Sequence, residues 1–371
     1  MLKNVQVLRA IAAMLVLFDH INGELQHSDP GATTAFAPFR YIGNAGVDLF
    51  FVISGFIMVT TSWSRFGRAS SPGTFVLRRL ARIFPPYWLV LVPIVVVYLT
   101  AAKHLMHAHD GRGDVVASIF LLPQAHDPLL QVSWTLTFEL FFYIVFAAIL
   151  AAKRSMLVPL LTVWFVFEVG ARSLIGQTQN PYLAFLSTPL PIEFIVGAVV
   201  GYFYRIERLP FATTVGVGGA IAFAAVWLAS AFPHATADLT KNDLARVVQF
   251  GIPAAAVVYG AVGREARYGT AAPAWAILLG NASYATYLWH VPITIVLGSV
   301  AMRLRVHGIV ADSIAQVASI AIVLAVSLLA YRYFERPVTA FLNATIARRL
   351  QPSPRSLPGA GSIAVVRTSG E

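Results

Sequence analysis

Of the chain's 371 residues, 57% are hydrophobic and only 12% are charged, about half the charged fraction of an ordinary soluble domain. A soluble protein of this length needs a charged exterior that these residues cannot supply, so soluble enzyme folds are excluded and an integral membrane protein is expected. The net charge of +10 has to be located before any polyanionic partner is considered, and the absence of cysteine removes disulfides, thiolate nucleophiles, iron–sulfur clusters and Cys-ligated zinc.

The chain starts Met1-Leu2-Lys3 and runs into an apolar stretch, Val5–Ile21. A basic start before an apolar run has the form of a signal peptide. No small-x-small site follows, however, and the stretch contains Arg9, Asp19 and His20, so a retained first helix is expected. Further apolar stretches able to span a bilayer lie near 44–62, 84–102, 133–151, 156–172, 190–205, 211–231, 247–263, 280–301 and 313–334. Val115–Leu122 is too short to span and is expected to be re-entrant or interfacial.

The predicted fold is therefore an all-α integral membrane bundle of about ten transmembrane helices. Residues 1–340 form one transmembrane domain. Residues 341–371 form a tail, expected to be disordered from Gln351 onward, where Pro, Ser and Gly dominate.

With the N-terminus assigned inside, 19 of the 27 Lys and Arg residues fall on the inner side. Both termini are accordingly expected to be cytoplasmic. Topology accounts for the basic charge, and no nucleic-acid partner is expected. No internal repeat of the kind found in many secondary transporters is visible.

Ionisable groups within spans are costly, and each points to a partner or a function. Arg9 and His20 share one stripe of the first helix, about 16 Å apart along its axis. Arg9 can be an anchor snorkelling to the headgroups, whereas His20 must face the protein interior. Asp48 opens the second span in Gly46-Val47-Asp48-Leu49-Phe50-Phe51-Val52-Ile53-Ser54-Gly55-Phe56, as a helix cap or a functional carboxylate.

Arg78, Arg79 and Arg82 place three guanidiniums within five residues. That spacing suits a polyphosphate ligand, or anionic lipid. Pro85-Pro86 is expected to set the entry into the third helix.

Ser133 and Trp134 lead into the fourth span, where Glu139 sits about two turns deep and needs a partner: an arginine, or His20 as the group it orients. Ser283, Tyr287 and His290 recur at helical spacing and form one polar face of the ninth span, lining a cavity or a helix interface. Tyr331-Arg332-Tyr333-Phe334-Glu335-Arg336-Pro337 is expected to end the last helix, with an Arg–Glu staple and Pro337 as the stop. His104, His107 and His109 lie in an outer loop with Asp110 and Asp114, but their spacing is too loose for a metal site, and none is expected.

Taken in order, these motifs resemble the integral-membrane acyltransferase-3 family, and within it the exopolysaccharide acetyltransferases of bacteria. They are Arg9-x10-His20, Gly46–Phe56, Arg79-x-x-Arg82 with Phe84-Pro85-Pro86-Tyr87-Trp88, Ser133–Glu139, Ser283–His290 and Tyr331–Pro337, and they cover about residues 1–340. The resemblance implies transfer of an acyl group, commonly acetyl, from cytoplasmic acyl-coenzyme A to a hydroxyl of an exported glycan or its lipid-linked precursor, in the bacterial inner membrane. It equates Arg9, His20, Arg79 and Arg82 with the family's functional Arg, His and Arg-x-x-Arg.

On this reading His20 is the general base and Glu139 its orienting group. Arg78, Arg79 and Arg82 hold the phosphates of acetyl-CoA, and Arg9 meets a phosphate or the thioester oxygen. Asp48, Ser133, Trp134, Ser283, Tyr287 and His290 are expected to line the substrate cavity. Expected partners are acyl-CoA, the glycan acceptor, membrane lipids and a polysaccharide-synthesis complex. A transporter or flippase of lipid-linked sugars, or a scaffold with inert polar groups, would also carry many spans and a basic mouth. Coenzyme A binding separates these from the enzyme.

Overall fold

The computed structural model describes residues 2–28, 43–100, 113–230, 243–304 and 308–350. Among these residues there is no strand, and nine helices are long and apolar enough to cross a membrane. The chain is an all-α membrane bundle.

Its elements in order are α1 (Lys3–Ser28), α2 (Asn44–Ser62), α3 (Ser71–Thr100), α4 (Val115–Phe120), α5 (Trp134–Ala151), α6 (Leu157–Ile175), α7 (Pro181–Leu186), α8 (Pro191–Arg205) and α9 (Ala212–Ser230). They continue with α10 (Asp243–Arg246), α11 (Ile252–Tyr268), α12 (Ala274–Asn281), α13 (Ser283–Leu304), α14 (Ile309–Ala330) and α15 (Arg336–Leu350). The expected span at 280–301 is occupied by α13, which is not one of the nine found among the described residues. Because the spans alternate in direction, the start of α1, the α2–α3 turn and the start of α13 lie at one end of the bundle, here termed the basic face.

α1 is central and packs against α2, α12 and α13. Small residues permit this: a Cβ on Gly46 would collide with Ala12 O, and one on Gly280 with Gln6 O. α2 and α8 meet in the same way, since a Cβ on Gly55 would strike Phe194 O and one on Gly197 would strike Val52 O. Gly197 and Gly201 form a small-xxx-small stripe. In lipid, where apolar burial between helices gains little, such close packing is a main source of association.

Behind this contact, Phe51 stacks on Phe194 (4.4 Å between centroids) and Phe194 on Phe142 (4.5 Å), joining α2, α8 and α5. Towards lipid the helices present aliphatic and aromatic side chains, such as Val163, Val166 and Phe167 on α6 and Ile221 on α9.

Two boundaries differ from expectation. α3 begins at Ser71, so Arg78, Arg79 and Arg82 lie on a helix, and Pro85 and Pro86 are inside it rather than at its entry. The missing proline N–H groups free the carbonyls of Ala81 and Arg82, and next to them Tyr284 Oη ties α13 to α3 by donating to Ile83 O at 2.9 Å.

Pro337 likewise does not end the last helix. A π-turn over Tyr331–Glu335 follows α14, and α15 then runs to Leu350, into the segment expected as tail. Pro337 occupies the first turn of the new helical register, where a missing N–H is tolerated. The remaining tail, 351–371, lies outside the described residues, as do His104, His107, His109 and Asp110.

The short segment α4 docks on α3 through Tyr87 Oη to Ser118 O (2.5 Å) and Trp88 Nε1 to Ile119 O (3.0 Å). Asp114 is its N-cap, accepting from Ala117 N at 2.9 Å.

Candidate active site

A cleft opens among α1, α2, α3, α5 and α13. Arg9, Arg79, Arg82 and Glu139 lie on its walls with Ser54, Thr135, Tyr143, Ser283 and Tyr287. Three guanidiniums and one carboxylate line the cleft, so its walls carry a surplus of positive charge. The grouping follows from helical spacing. Arg79 and Arg82 are one turn apart on α3, and the close approach of α1 to α2 and α12 brings Arg9 to the same space.

Each charged group is held differently. Arg9, buried, donates from Nη1 to Gln6 Oε1 at 3.5 Å. Arg79 donates to Thr61 Oγ1 at 3.4 Å, and its guanidinium lies 5.3 Å from the Phe75 ring centroid and 5.6 Å from that of Tyr143. Glu139 accepts from Tyr143 Oη and from Ser54 Oγ, the latter at 3.4 Å. Glu335, buried on the π-turn, is within electrostatic reach of Arg82 and Arg9. Glu335 thus faces arginines of α3 and α1, while its sequence neighbour Arg332 lies over the Tyr333 ring, at 5.9 Å.

His20 does not line this cleft. Its Nδ1 is 2.9 Å from Val16 O, and its ring meets that of His290 edge to face at 4.8 Å. His290 repeats the pattern, with Nδ1 3.1 Å from Thr286 O, and its Nε2 is buried without a hydrogen-bond partner. A carbonyl only accepts, so each Nδ1 carries the proton. In the neutral ring, Nε2 therefore holds the lone pair. Tyr287 connects the two regions. It lines the cleft, its ring lies 5.7 Å from that of His290, and its Oη bonds Thr135 Oγ1 (2.7 Å) and Val132 O (2.9 Å).

The structure thus divides the expected site. Ser283 and Tyr287 line the cleft, whereas His290 pairs with His20. Glu139 lines the cleft with the arginines and accepts from Tyr143 and Ser54, while the ring that meets His20 is that of His290. Arg78 is not on the cleft; helical rotation turns it away from Arg79, and its electrostatic neighbour is Arg65.

Asp48 is neither a cap nor a cleft residue. It is the fifth residue of α2, fully buried, and takes a bidentate ion pair from Arg246, Nε–Oδ1 3.0 Å and Nη2–Oδ2 3.1 Å. Trp134 covers that guanidinium at 5.8 Å, buried Glu193 abuts Asp48, and Ser133 is buried in the 3₁₀ turn ahead of Trp134.

Arg246, Glu193 and Tyr143 were not anticipated from sequence. Tyr143 had a signal, four residues beyond Glu139 on one helix face. Arg246 had none, standing 198 positions from its partner.

Comparison with known proteins decides the chemistry. An acyltransferase domain model matches residues 2–332. The chain belongs to this acyltransferase family.

It is 33% identical to the exopolysaccharide production protein ExoZ of Rhizobium meliloti over 261 residues, 67% of this chain and 76% of that one. It is 24% identical to the peptidoglycan O-acetyltransferase OatA of Listeria monocytogenes over 373 residues, 91% of this chain but 56% of OatA. The acyltransferase MdmB of Streptomyces mycarofaciens is 24% identical over 250 residues, 61% of each chain. No solved structure matches. The protein is an acyltransferase enzyme of the membrane, and the transporter and scaffold readings are set aside. Among the described residues no three His, Cys, Asp or Glu side chains converge as a metal site.

Proposed function

We propose that this acyltransferase moves an acetyl group from cytoplasmic acetyl-CoA to a hydroxyl of an exported or cell-surface polysaccharide, or of its lipid-linked precursor, across the inner membrane of a bacterium. The observation that carries this reading is the positive cleft of Arg9, Arg79 and Arg82, which connects through Tyr287 to the His20–His290 pair. Support for the sidedness comes from the cation distribution, which puts the cleft's arginines at the end of the bundle expected to face the cytoplasm. The relatives' names support the class of acceptor.

In this mechanism Arg79 and Arg82 take the coenzyme's phosphates through charge-assisted hydrogen bonds. The narrow pantetheine arm then runs from the cleft past Tyr287 toward the His20–His290 pair, and Arg9, about 16 Å from His20 along α1, meets a phosphate. The lone pair on His20 Nε2 accepts the acceptor hydroxyl's proton as its oxygen attacks the thioester carbonyl carbon. The carbon–sulfur bond breaks, and the coenzyme leaves as a thiolate that recovers the proton from His20. Glu139 with Tyr143 keeps Arg79 and Arg82 apart from Arg9 at fixed spacing, a positioning role.

The test is acetyl-CoA binding and turnover by the purified full chain. His20→Ala is expected to bind acetyl-CoA like the wild type and to lose about 10²–10⁴-fold in turnover, the usual contribution of a general base. Full turnover by a folded His20→Ala protein would overturn the role of His20. Absence of acetyl-CoA binding by the wild type would overturn the donor.

A further inference from the structure

A groove of about 910 Å³ lies at the basic face, apart from the acyltransferase cleft, where α8 and α11 end and α9 begins. Its walls carry Arg205 from α8, Arg264 and Arg267 from α11, and Glu207 from the turn between α8 and α9. None of these three guanidiniums has an ion pair among the described residues. Arg205 lies 5.5 Å from the Trp63 ring centroid, and Arg267 lies 5.4 Å from that of its neighbour Tyr268. The carboxylate between the two arginines of α11, Glu265, is engaged elsewhere: it accepts from Lys3 N and Asn4 N, at 2.8 Å each.

Part of this charge answers the helix ends. The C-termini of α8 and α11 each bring about half a negative charge, and the N-terminus of α9 brings about half a positive one. With three arginines and one glutamate on the walls, a surplus of roughly 1.5 positive charges remains. Compensation of helix dipoles therefore does not account for the cluster.

The rim has the character of a membrane surface. Phe211 is 81% exposed and Tyr268 is 68% exposed, aromatic side chains at the level where span ends meet headgroups. The turn that presents Phe211 is strained, with Glu207 at φ 57° and Phe211 at φ 53°, a left-handed region that bulky side chains disfavour. Packing within the chain does not compensate that conformation at Phe211, because the ring is exposed. From the groove, Thr213, Val217 and Ile221 follow at four-residue spacing along one face of α9, all exposed, and form a track from polar to apolar. α9 itself is a peripheral span that packs on α11, where a Cβ on Gly216 would fall 2.8 Å from Gly260 Cα.

Converging cations, an aromatic rim and an apolar track together call for a ligand with a phosphate at one end and acyl chains at the other. We propose that this groove binds an anionic phospholipid of the leaflet at the basic face. Its phosphate lies between Arg205 and the Arg264–Arg267 pair, and an acyl chain runs along Val217 and Ile221. The lipid thereby fastens α9 to α8 and α11. A soluble phosphate would meet the same guanidiniums but would leave the track unused.

The test is native mass spectrometry of the full chain in a neutral detergent, titrated with dioleoyl phosphatidylglycerol. Arg264→Gln with Arg267→Gln is expected to weaken the tightest phosphatidylglycerol adduct about thirtyfold, the effect of two cations lost beside an anionic headgroup. Arg348→Gln with Arg349→Gln removes the same charge from the end of α15, off the groove, and should change that adduct by less than about threefold. Phe211→Gly relieves the left-handed backbone, so it should leave the unfolding temperature in lipid-free detergent unchanged or higher while still weakening the adduct.

Equal loss in the two double variants would reduce the cluster to general positive charge and overturn the site. Phosphatidylcholine bound as tightly as phosphatidylglycerol would overturn the anionic headgroup. Displacement of the lipid by sn-glycerol 3-phosphate at matching concentration would overturn the lipid and assign the groove to a soluble phosphate. An adduct unchanged by Phe211→Gly would overturn the placement of the lipid at this rim.

Discussion

Arginine is used in two opposite ways in this bundle. Arg246 is neutralised: it forms a bidentate pair with fully buried Asp48 and lies under Trp134. Arg79, Arg82 and Arg9 face an open cleft that also holds Glu139, one carboxylate among three cations. Taking a guanidinium out of water is expensive in both places. At Arg246 the cost is offset within the chain. In the cleft it is only partly offset, by cation–π contact, weak hydrogen bonds and the nearby Glu335, so the surplus charge is available to a ligand. A paired buried arginine is architecture, and an under-compensated one marks a site.

This contrast can be broken at either end. The largest effect is expected from Arg79→Ala with Arg82→Ala. Two charge-assisted contacts at about 1.5–3 kcal/mol each should raise the KM for acetyl-CoA about 100-fold or more, leaving thermal stability unchanged or improved. Kinetics and an unfolding scan on one preparation check both halves.

Next, Asp48→Leu should destabilise the protein by about 3 kcal/mol, because it removes the bidentate partner of Arg246 and leaves buried Glu193 as the nearby carboxylate. Asp48→Leu combined with Arg246→Met should recover most of that loss. A double variant no better than the single would show that the pair is more than a neutralised charge.

The smallest effect sharpens the comparison. Arg78→Ala, adjacent in sequence but off the cleft, should change the acetyl-CoA KM by less than about twofold. A change as large as that in Arg79→Ala would return Arg78 to the site.

Much of the fold was legible because bilayer thickness limits what an apolar run can do. The spans stood out by length, and Val115–Leu122 was too short to be one of them. The boundaries at Pro85 and Pro337 were misjudged for a common reason. Proline penalises a helix locally, but a helix packed in a membrane bundle can tolerate it, as α3 does at Pro85 and Pro86, and a π-turn can shift the register ahead of it, as at Pro337. In the site, Arg79 and Arg82 were legible from spacing on one helix. Arg78 was not separable from them until the direction of the cleft was known.

From its residues alone the chain had to be an all-α membrane bundle with its cations concentrated at one end, and its costly buried groups were already Arg9, His20, Asp48, Glu139 and His290. Those conclusions follow from composition and from the free energy of placing polar groups in lipid, which needs no knowledge of neighbours. Which of these groups meet was decided only by tertiary structure. His20 pairs with His290, Asp48 with Arg246, and Glu139 stays with the arginines, because glycine contacts on α1 and between α2 and α8 set how closely the helices approach and so which faces oppose. Helical periodicity assigns a side chain to a face of its own helix; only the packing of helices through small residues determines what that face meets.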